Sequence, residues 1–305
     1  MILYKLNSLR PVPELSVTLV DRPKAMDATY DSMDFALLSS PLLTELTYVV
    51  YMASWNGEQP CCSEWPQLTN ALLTGGNVRS LHVRCEADGT VRYAFPIKVN
   101  GNQLEKLPRL DLESGARLPK LEELRIVACN ISNLFSSWDE AYCRTLRDTV
   151  DLDRLRVLDF GSEYPEHFFA TFAGLLPNVR SVRCRAGQES MESLRYFVES
   201  LPALEALSVD EAQRSVEELW PAIESHKNTL KSLVFGATWE RYCRPTYVDI
   251  NVLEKVAEFP MLEHLGWHVP MGTSVSAHLS VAKDTCMAFN GLRTISLNTW
   301  GNTIN

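Results

Sequence analysis

The sequence predicts an α/β solenoid, a horseshoe built from about nine irregular strand–helix repeats with a parallel sheet along the concave side. Three observations predict it. A short apolar block recurs nine times, a proline precedes four of the blocks at a fixed offset, and the segments between blocks carry apolar residues at helical spacing.

The block has the form apolar-x-x-apolar-x-apolar and starts at Leu43, Val78, Leu121, Leu155, Val179, Leu204, Leu230, Leu262 and Leu292. Successive starts lie 35, 43, 34, 24, 25, 26, 32 and 30 residues apart, so the period is tightest in the middle of the chain. Positions four and six of a block are apolar, whereas three, five and seven are mostly polar or small, the period of two of a strand with one buried face. Leu118-Pro119, Leu176-Pro177, Leu201-Pro202 and Phe259-Pro260 each put proline two residues ahead of a block. Proline cannot continue a helix and biases its predecessor toward extended backbone, so each pair marks a switch from helix to strand.

Between blocks the period becomes helical. Met191, Leu194, Val198 and Leu201 form one stripe, Val216, Leu219, Trp220 and Ile223 a second, and Leu279, Ala282, Cys286 and Phe289 a third. Ser215 with Glu218 and Asn251 with Glu254 have the spacing of a capping box at a helix start. One strand–helix unit cannot bury its apolar stripe alone, whereas stacked units share a continuous core. Strands sit about 4.8 Å apart and helices about 10 Å, so the stack bends with the strands inside. A doubly wound α/β domain also alternates strands and helices, but its strands are buried on both faces and run continuously apolar. These strands are polar on one side.

Residues 1–40 are expected to cap the open apolar end of the first repeat, and residues 41–305 to form the array, in one elongated domain. The long excursions at about 52–76 and 86–117 are the expected partner-specific loops, because a repeat scaffold tolerates longer loops without disturbing its stack. Val91, Tyr93, Phe95 and Ile97 alternate strictly, which predicts a small hairpin within Glu86–Gly101. Trp55, Trp65, Trp138, Trp239 and Trp300 fall outside the strand cores, where they fill gaps between repeats or anchor a partner. The last strand ends near Asn305 with no helix to cover it, which predicts either a second chain along that edge or a longer natural protein.

Leu121, Leu124, Ile126, Cys129 and Ile131 in LEELRIVACNI follow the pattern L-x-x-L-x-L-x-x-N/C-x-L, and in this the chain resembles the leucine-rich-repeat family. Its uneven spacing is similar to the repeat region of fungal F-box proteins. That resemblance implies a protein-binding module, the substrate-recognition half of a ubiquitin-ligase receptor. In that family an amino-terminal F-box docks the ligase adaptor. Here only Pro13-Glu14-Leu15 echoes an F-box start, with no matching helices after it. A leucine-rich-repeat scaffold unrelated to ubiquitin is the alternative, and an enzyme with a pocket in the concave face a third reading.

Composition bounds the partners. The chain carries a net charge of -9, the wrong sign for generic phosphate neutralisation, which argues against nucleic acid. No run of about 18 apolar residues is present to span a membrane. The first residues lack a secretory apolar stretch, so the chain is expected to be intracellular, cytoplasmic or nuclear, with its eight cysteines reduced.

The third, fifth and seventh block positions are expected to line the concave face, where four arginines balance four carboxylates. Arg84, Arg125, Arg183 and Arg185 concentrate in the second, third and fifth copies with Asp159 between them. Guanidinium forks suit carboxylate and phosphate, so one reading is a grip on an acidic or phosphorylated segment of a protein partner. The other is a solvated ladder of opposite charges, each pair worth under about 1 kcal/mol. His264 and His268 share strand parity and join the candidate partner-binding residues, with His82 in the fifth-position row. No further ligands converge on them and the adjacent Cys61-Cys62 pair is poor chelate geometry, so neither metal nor cofactor is expected. The sequence contains no nucleophile elbow, P-loop, dinucleotide fingerprint or H-E-x-x-H, which argues against an enzyme.

Overall fold

The computed structural model describes residues 3–6, 15–21, 40–52, 72–73, 76–87, 98–99, 102–103, 115–118, 120–128, 139–161, 165–185, 191–210, 216–235, 255–269 and 292–299. The chain divides into two compact units, Met1–Glu163 and Tyr164–Asn305.

The first unit contains β1 (Leu3–Leu6), β2 (Leu15–Asp21), β3 (Leu43–Met52), β4 (Ser80–Ala87), β5 (Lys98–Val99), β6 (Asn102–Gln103), β7 (Glu123–Ala128), helix α1 (Glu140–Thr149) and β8 (Val157–Gly161). Its sheet runs β1-β2-β3-β4-β7-β8, antiparallel between β1 and β2 and parallel throughout the rest. The second unit contains α2 (Glu166–Phe172), β9 (Ser181–Arg185), α3 (Met191–Ser200), β10 (Ala206–Asp210), α4 (Val216–Glu224), β11 (Ser232–Phe235), β12 (His264–Val269) and β13 (Thr294–Thr299). Its strands run in chain order, β9 to β13, all parallel. Within each unit the fold is α/β with a parallel sheet. Among the described residues no strand is inserted out of order, so neither run of strands shows the reversal that marks a doubly wound fold.

Eight of the nine blocks have described side chains at positions four and six, and in all eight both residues are buried: Leu46 and Tyr48, Leu81 and Val83, Leu124 and Ile126, Leu158 and Phe160, Val182 and Cys184, Leu207 and Val209, Leu233 and Phe235, Leu265 and Trp267. The residue before each signalling proline is buried too, at Leu118, Leu176, Leu201 and Phe259. The first two predicted helical stripes correspond to α3 and α4 and are buried along their length. The third stripe lies outside the described residues, as do the five loop tryptophans, Cys61, Cys62 and the cap residues Ser215, Asn251 and Glu254.

The amino-terminal region adds to the array as well as preceding it. β1 and β2 form a hairpin, and β2 joins β3 in parallel, with Ser16, Thr18 and Val20 opposite Glu45, Thr47 and Val49. The alternating stretch Val91 to Ile97 lies outside the described residues; just after it β5 and β6 pair antiparallel as a hairpin of two residues per strand. In the second unit the helices meet through aromatic contacts: Phe168 stacks on Phe172 at 4.0 Å between ring centroids, and Phe197 of α3 packs against Phe168 and Phe169 at 6.1 and 5.0 Å. Each fully buried phenylalanine contributes roughly 1.5–3 kcal/mol of burial free energy.

Candidate functional site

Parallel pairing in constant register over the first five block positions brings equal positions side by side. In the first unit Glu45, Ser80, Glu123 and Val157 form one row across β3, β4, β7 and β8, and Thr47, His82, Arg125 and Asp159 form the next. Val49, Arg84 and Val127 form a third row, beyond which the β7–β8 register shifts. In the second unit Ser181, Ala206, Ser232, His264 and Thr294 are aligned, as are Arg183, Ser208, Val234, Gly266 and Ser296. The rows predicted from the third and fifth block positions are rows of the sheet, whereas at the seventh the β7–β8 shift sets Ala128 opposite Gly161.

The charged cluster of the first unit sits on three adjacent strands. Residues two apart on a strand share a face, so Glu123 and Arg125 reach each other along β7, and Arg125 Nη2 lies 3.1 Å from Glu123 Oε2. The same carboxylate oxygen accepts a hydrogen bond from Ser80 Oγ at 3.3 Å, across to β4. Arg125 Nη1 lies 3.9 Å from Asp159 Oδ2 on the other side, across to β8. Asp159 is buried at 8 % exposure although its position was expected to line an open face. Arg125 and Glu123 keep 37 % of their side chains exposed, so water screens their pair to under about 1 kcal/mol.

His82 occupies the fifth-position row directly opposite Arg125 and two residues before Arg84. Burial holds its pKa below the ordinary histidine value; the Arg84 charge pushes the same way, as does Arg125 more weakly, against the opposing pull of Asp159. The ring is therefore a neutral donor and acceptor at pH 7, set between an ion cluster and the exposed Arg84.

Of the residues singled out from sequence, Arg84, Arg125 and Asp159 belong to the first unit and are neighbours there. Arg183 and Arg185 both lie on β9 of the second unit, Arg183 half-buried with its Nε out of contact with solvent. His264 is half-buried on β12, and His268 follows on the same strand opposite Asn298. The side chains of Arg185 and His268 lie outside the described residues. Glu123 was placed in the lining but not among the gripping residues, yet it is the acceptor that joins Ser80 to Arg125. Its position two residues from Arg125 was the available signal.

The three rows of the first unit present two arginines, Arg84 and Arg125, against the carboxylates Glu45, Glu123 and Asp159, with His82 neutral. Such a surface offers paired donors and acceptors at the strand spacing of about 4.8 Å. It suits polar groups of a macromolecule laid along it. The sequence matches no family model and no curated protein. No helix among the described residues is long and apolar enough to cross a membrane.

Proposed function

We propose that the chain is a protein-binding module of the leucine-rich-repeat class, whose sheet face holds a segment of a partner protein. The observation that carries this reading is the continuous alignment of block positions three and five, which puts polar side chains in rows over an apolar floor. Repeat proteins use such extended surfaces to bind other proteins, because each added strand widens the face without changing the core. The donor and acceptor types on the rows suit a peptide segment carrying both charge signs. An acidic or phosphorylated segment fits the arginines of these rows, Arg84 and Arg125, whose guanidinium forks suit carboxylate and phosphate.

Membership of a ubiquitin-ligase receptor is the narrower form of the proposal. The stretch that echoes an F-box start enters β2, a sheet strand, which favours the stand-alone scaffold over the receptor. Affinity purification of the tagged chain from its source cell, followed by identification of bound proteins, tests both. A bound protein whose recovery drops at least about tenfold with Arg84→Glu and Arg125→Glu supports the binding face. Unchanged recovery with both variants removes it. Ligase subunits among the bound proteins would establish the receptor form, and their absence leaves the scaffold.

A further inference from the structure

A second surface lies on the exposed sides of α2 and α3. The two helices leave an open groove of about 560 Å3 between them, lined by Glu166 and Ala170 from α2 and Glu192, Arg195, Tyr196 and Glu199 from α3. Helix α3 divides cleanly: Met191, Leu194, Phe197 and Val198 are buried, while Glu192, Arg195, Tyr196 and Glu199 form an outward stripe at i, i+3, i+4 and i+7. Charged residues on such a stripe need only solvent. Tyr196 does not fit that account, because the residue is 66 % exposed, the most exposed large hydrophobic among the described residues.

The charges of the groove are unbalanced. Arg195 Nε is held by Glu199 Oε1 at 2.9 Å, whereas Glu166 and Glu192 have no cation partner among the described residues. The groove thus contains one completed guanidinium–carboxylate pair, two further carboxylates and an open aromatic face. We propose that this groove binds an arginine-bearing helix of a partner protein, with a guanidinium stacked on Tyr196 and paired to Glu192. A planar guanidinium can stack on the ring and fork to a carboxylate at once, which the compact ammonium of lysine does less well. The stripe on α3 repeats at helical spacing, and Ala170 is small enough on the facing helix to let a third helix lie close between the two. This site is separate from the sheet face and stands without it.

The test uses the full chain and a labelled, amidated 16-residue alanine-based peptide with three arginines four residues apart, titrated by fluorescence anisotropy. Saturable binding is expected, weakened at least about tenfold by Tyr196→Ala and by Glu192→Gln. Glu217→Gln, an exposed change on α4 outside the groove, should leave it unaltered, and a lysine version of the peptide should bind several-fold more weakly. The proposal is overturned by absence of saturable binding, by unchanged affinity in the Tyr196 and Glu192 variants, by equal weakening in Glu217→Gln, or by equal affinity for the lysine peptide. All three substitutions are at exposed side chains, and circular dichroism of each variant establishes that it is folded.

Discussion

His226 follows α4 and is buried, at 4 % exposure. Its Nε2 lies 2.8 Å from the Val198 carbonyl oxygen, and the Leu204 N–H points at its Nδ1 at 3.4 Å. A carbonyl can only accept, so the proton sits on Nε2 and Nδ1 is left to accept from Leu204, which makes the ring neutral. Burial accordingly holds the pKa of His226 below the ordinary value, the bond to Val198 acting weakly in the opposite direction. Replacing the ring by leucine leaves the buried Leu204 N–H without its acceptor, at about 1–3 kcal/mol, whereas the Val198 carbonyl still accepts from the Leu201 N–H at 3.1 Å. His226→Leu is therefore expected to lower the unfolding free energy by roughly 1–3 kcal/mol at pH 7.5 in urea titrations. The sign of the pH effect follows from the lowered pKa. The unfolded chain takes up the proton near pH 6.5 while the folded protein resists it, so stability is full above about pH 7 and falls as pH drops, by at most about 1.4 kcal/mol per unit. Because the variant lacks that group, the gap between wild type and His226→Leu should narrow at pH 5.5. A gap of constant size would show that the ring is not held neutral. His82 shifts in the same direction but is present in both proteins, so it cancels from the comparison.

Each step in the sheet of the second unit is made the same way. The N–H groups of the second and third block positions both donate to the second-position carbonyl of the preceding strand's block. Glu205 and Ala206 bond to the Arg180 oxygen at 2.8 and 2.9 Å, Lys231 and Ser232 to Glu205 at 2.7 and 3.0 Å, Glu263 and His264 to Lys231 at 2.8 and 2.9 Å, and Arg293 and Thr294 to Glu263 at 2.8 and 3.0 Å. The side chains at this position alternate in sign, Arg180, Glu205, Lys231, Glu263, Arg293, and neighbours pair: Lys231 Nζ with Glu205 at 2.6 Å and Arg293 Nη1 with Glu263 at 3.9 Å. Lys231→Glu sets a carboxylate between two others and should cost about 1 kcal/mol in low salt, most of it recovered near 1 M NaCl, where charges are screened within about 3 Å. If thermal melts show the same loss in both salts, the effect is one of packing. At helix α1, Asp139 Oδ1 accepts from the Tyr142 N–H at 2.8 Å, and Asp139→Ala should cost about 1 kcal/mol in the same assay. This charge order was readable in the sequence beside the apolar positions that revealed the blocks. Other elements were not readable, for identifiable reasons. Helix α2 has only seven residues, with its apolar side supplied by Phe168, Phe169 and Phe172, too short a stretch for periodicity to stand out. Strand β2 has Glu14 where a block would begin and slips register between Leu15 and Ser16. At the candidate site the row containing Arg125 followed from spacing alone, but its partners did not. Which carboxylate an arginine takes depends on depth and rotamer, and Asp159 is more deeply buried than its position implied.

Within each unit, the repeat explains why strand order could be derived from chain order: the first eight blocks all bury their first, fourth and sixth residues. The acidic excess of the composition is consistent with that arrangement. With a net charge of -9, the chain still presents two arginines against three carboxylates on the described sheet rows of the first unit. Much of the negative charge therefore lies elsewhere, including Glu166, Glu192 and Glu199 around the groove. Near-neighbour construction also makes a claim about cooperativity. If each strand depends chiefly on the two beside it, a cavity in one should loosen its neighbours first and more distant strands less. Leu207 is 1 % exposed on β10, between β9 and β11. Leu207→Ala should cost about 2–5 kcal/mol in unfolding free energy, the range for large-to-small changes in a packed core. Amide exchange followed by mass spectrometry should then report lost protection in β10, β9 and β11, with β13, three strands from β10, retaining most of its own. A uniform loss from β9 through β13 would mean that the second unit unfolds as a single block, and that the repeat describes its geometry without describing its energetics.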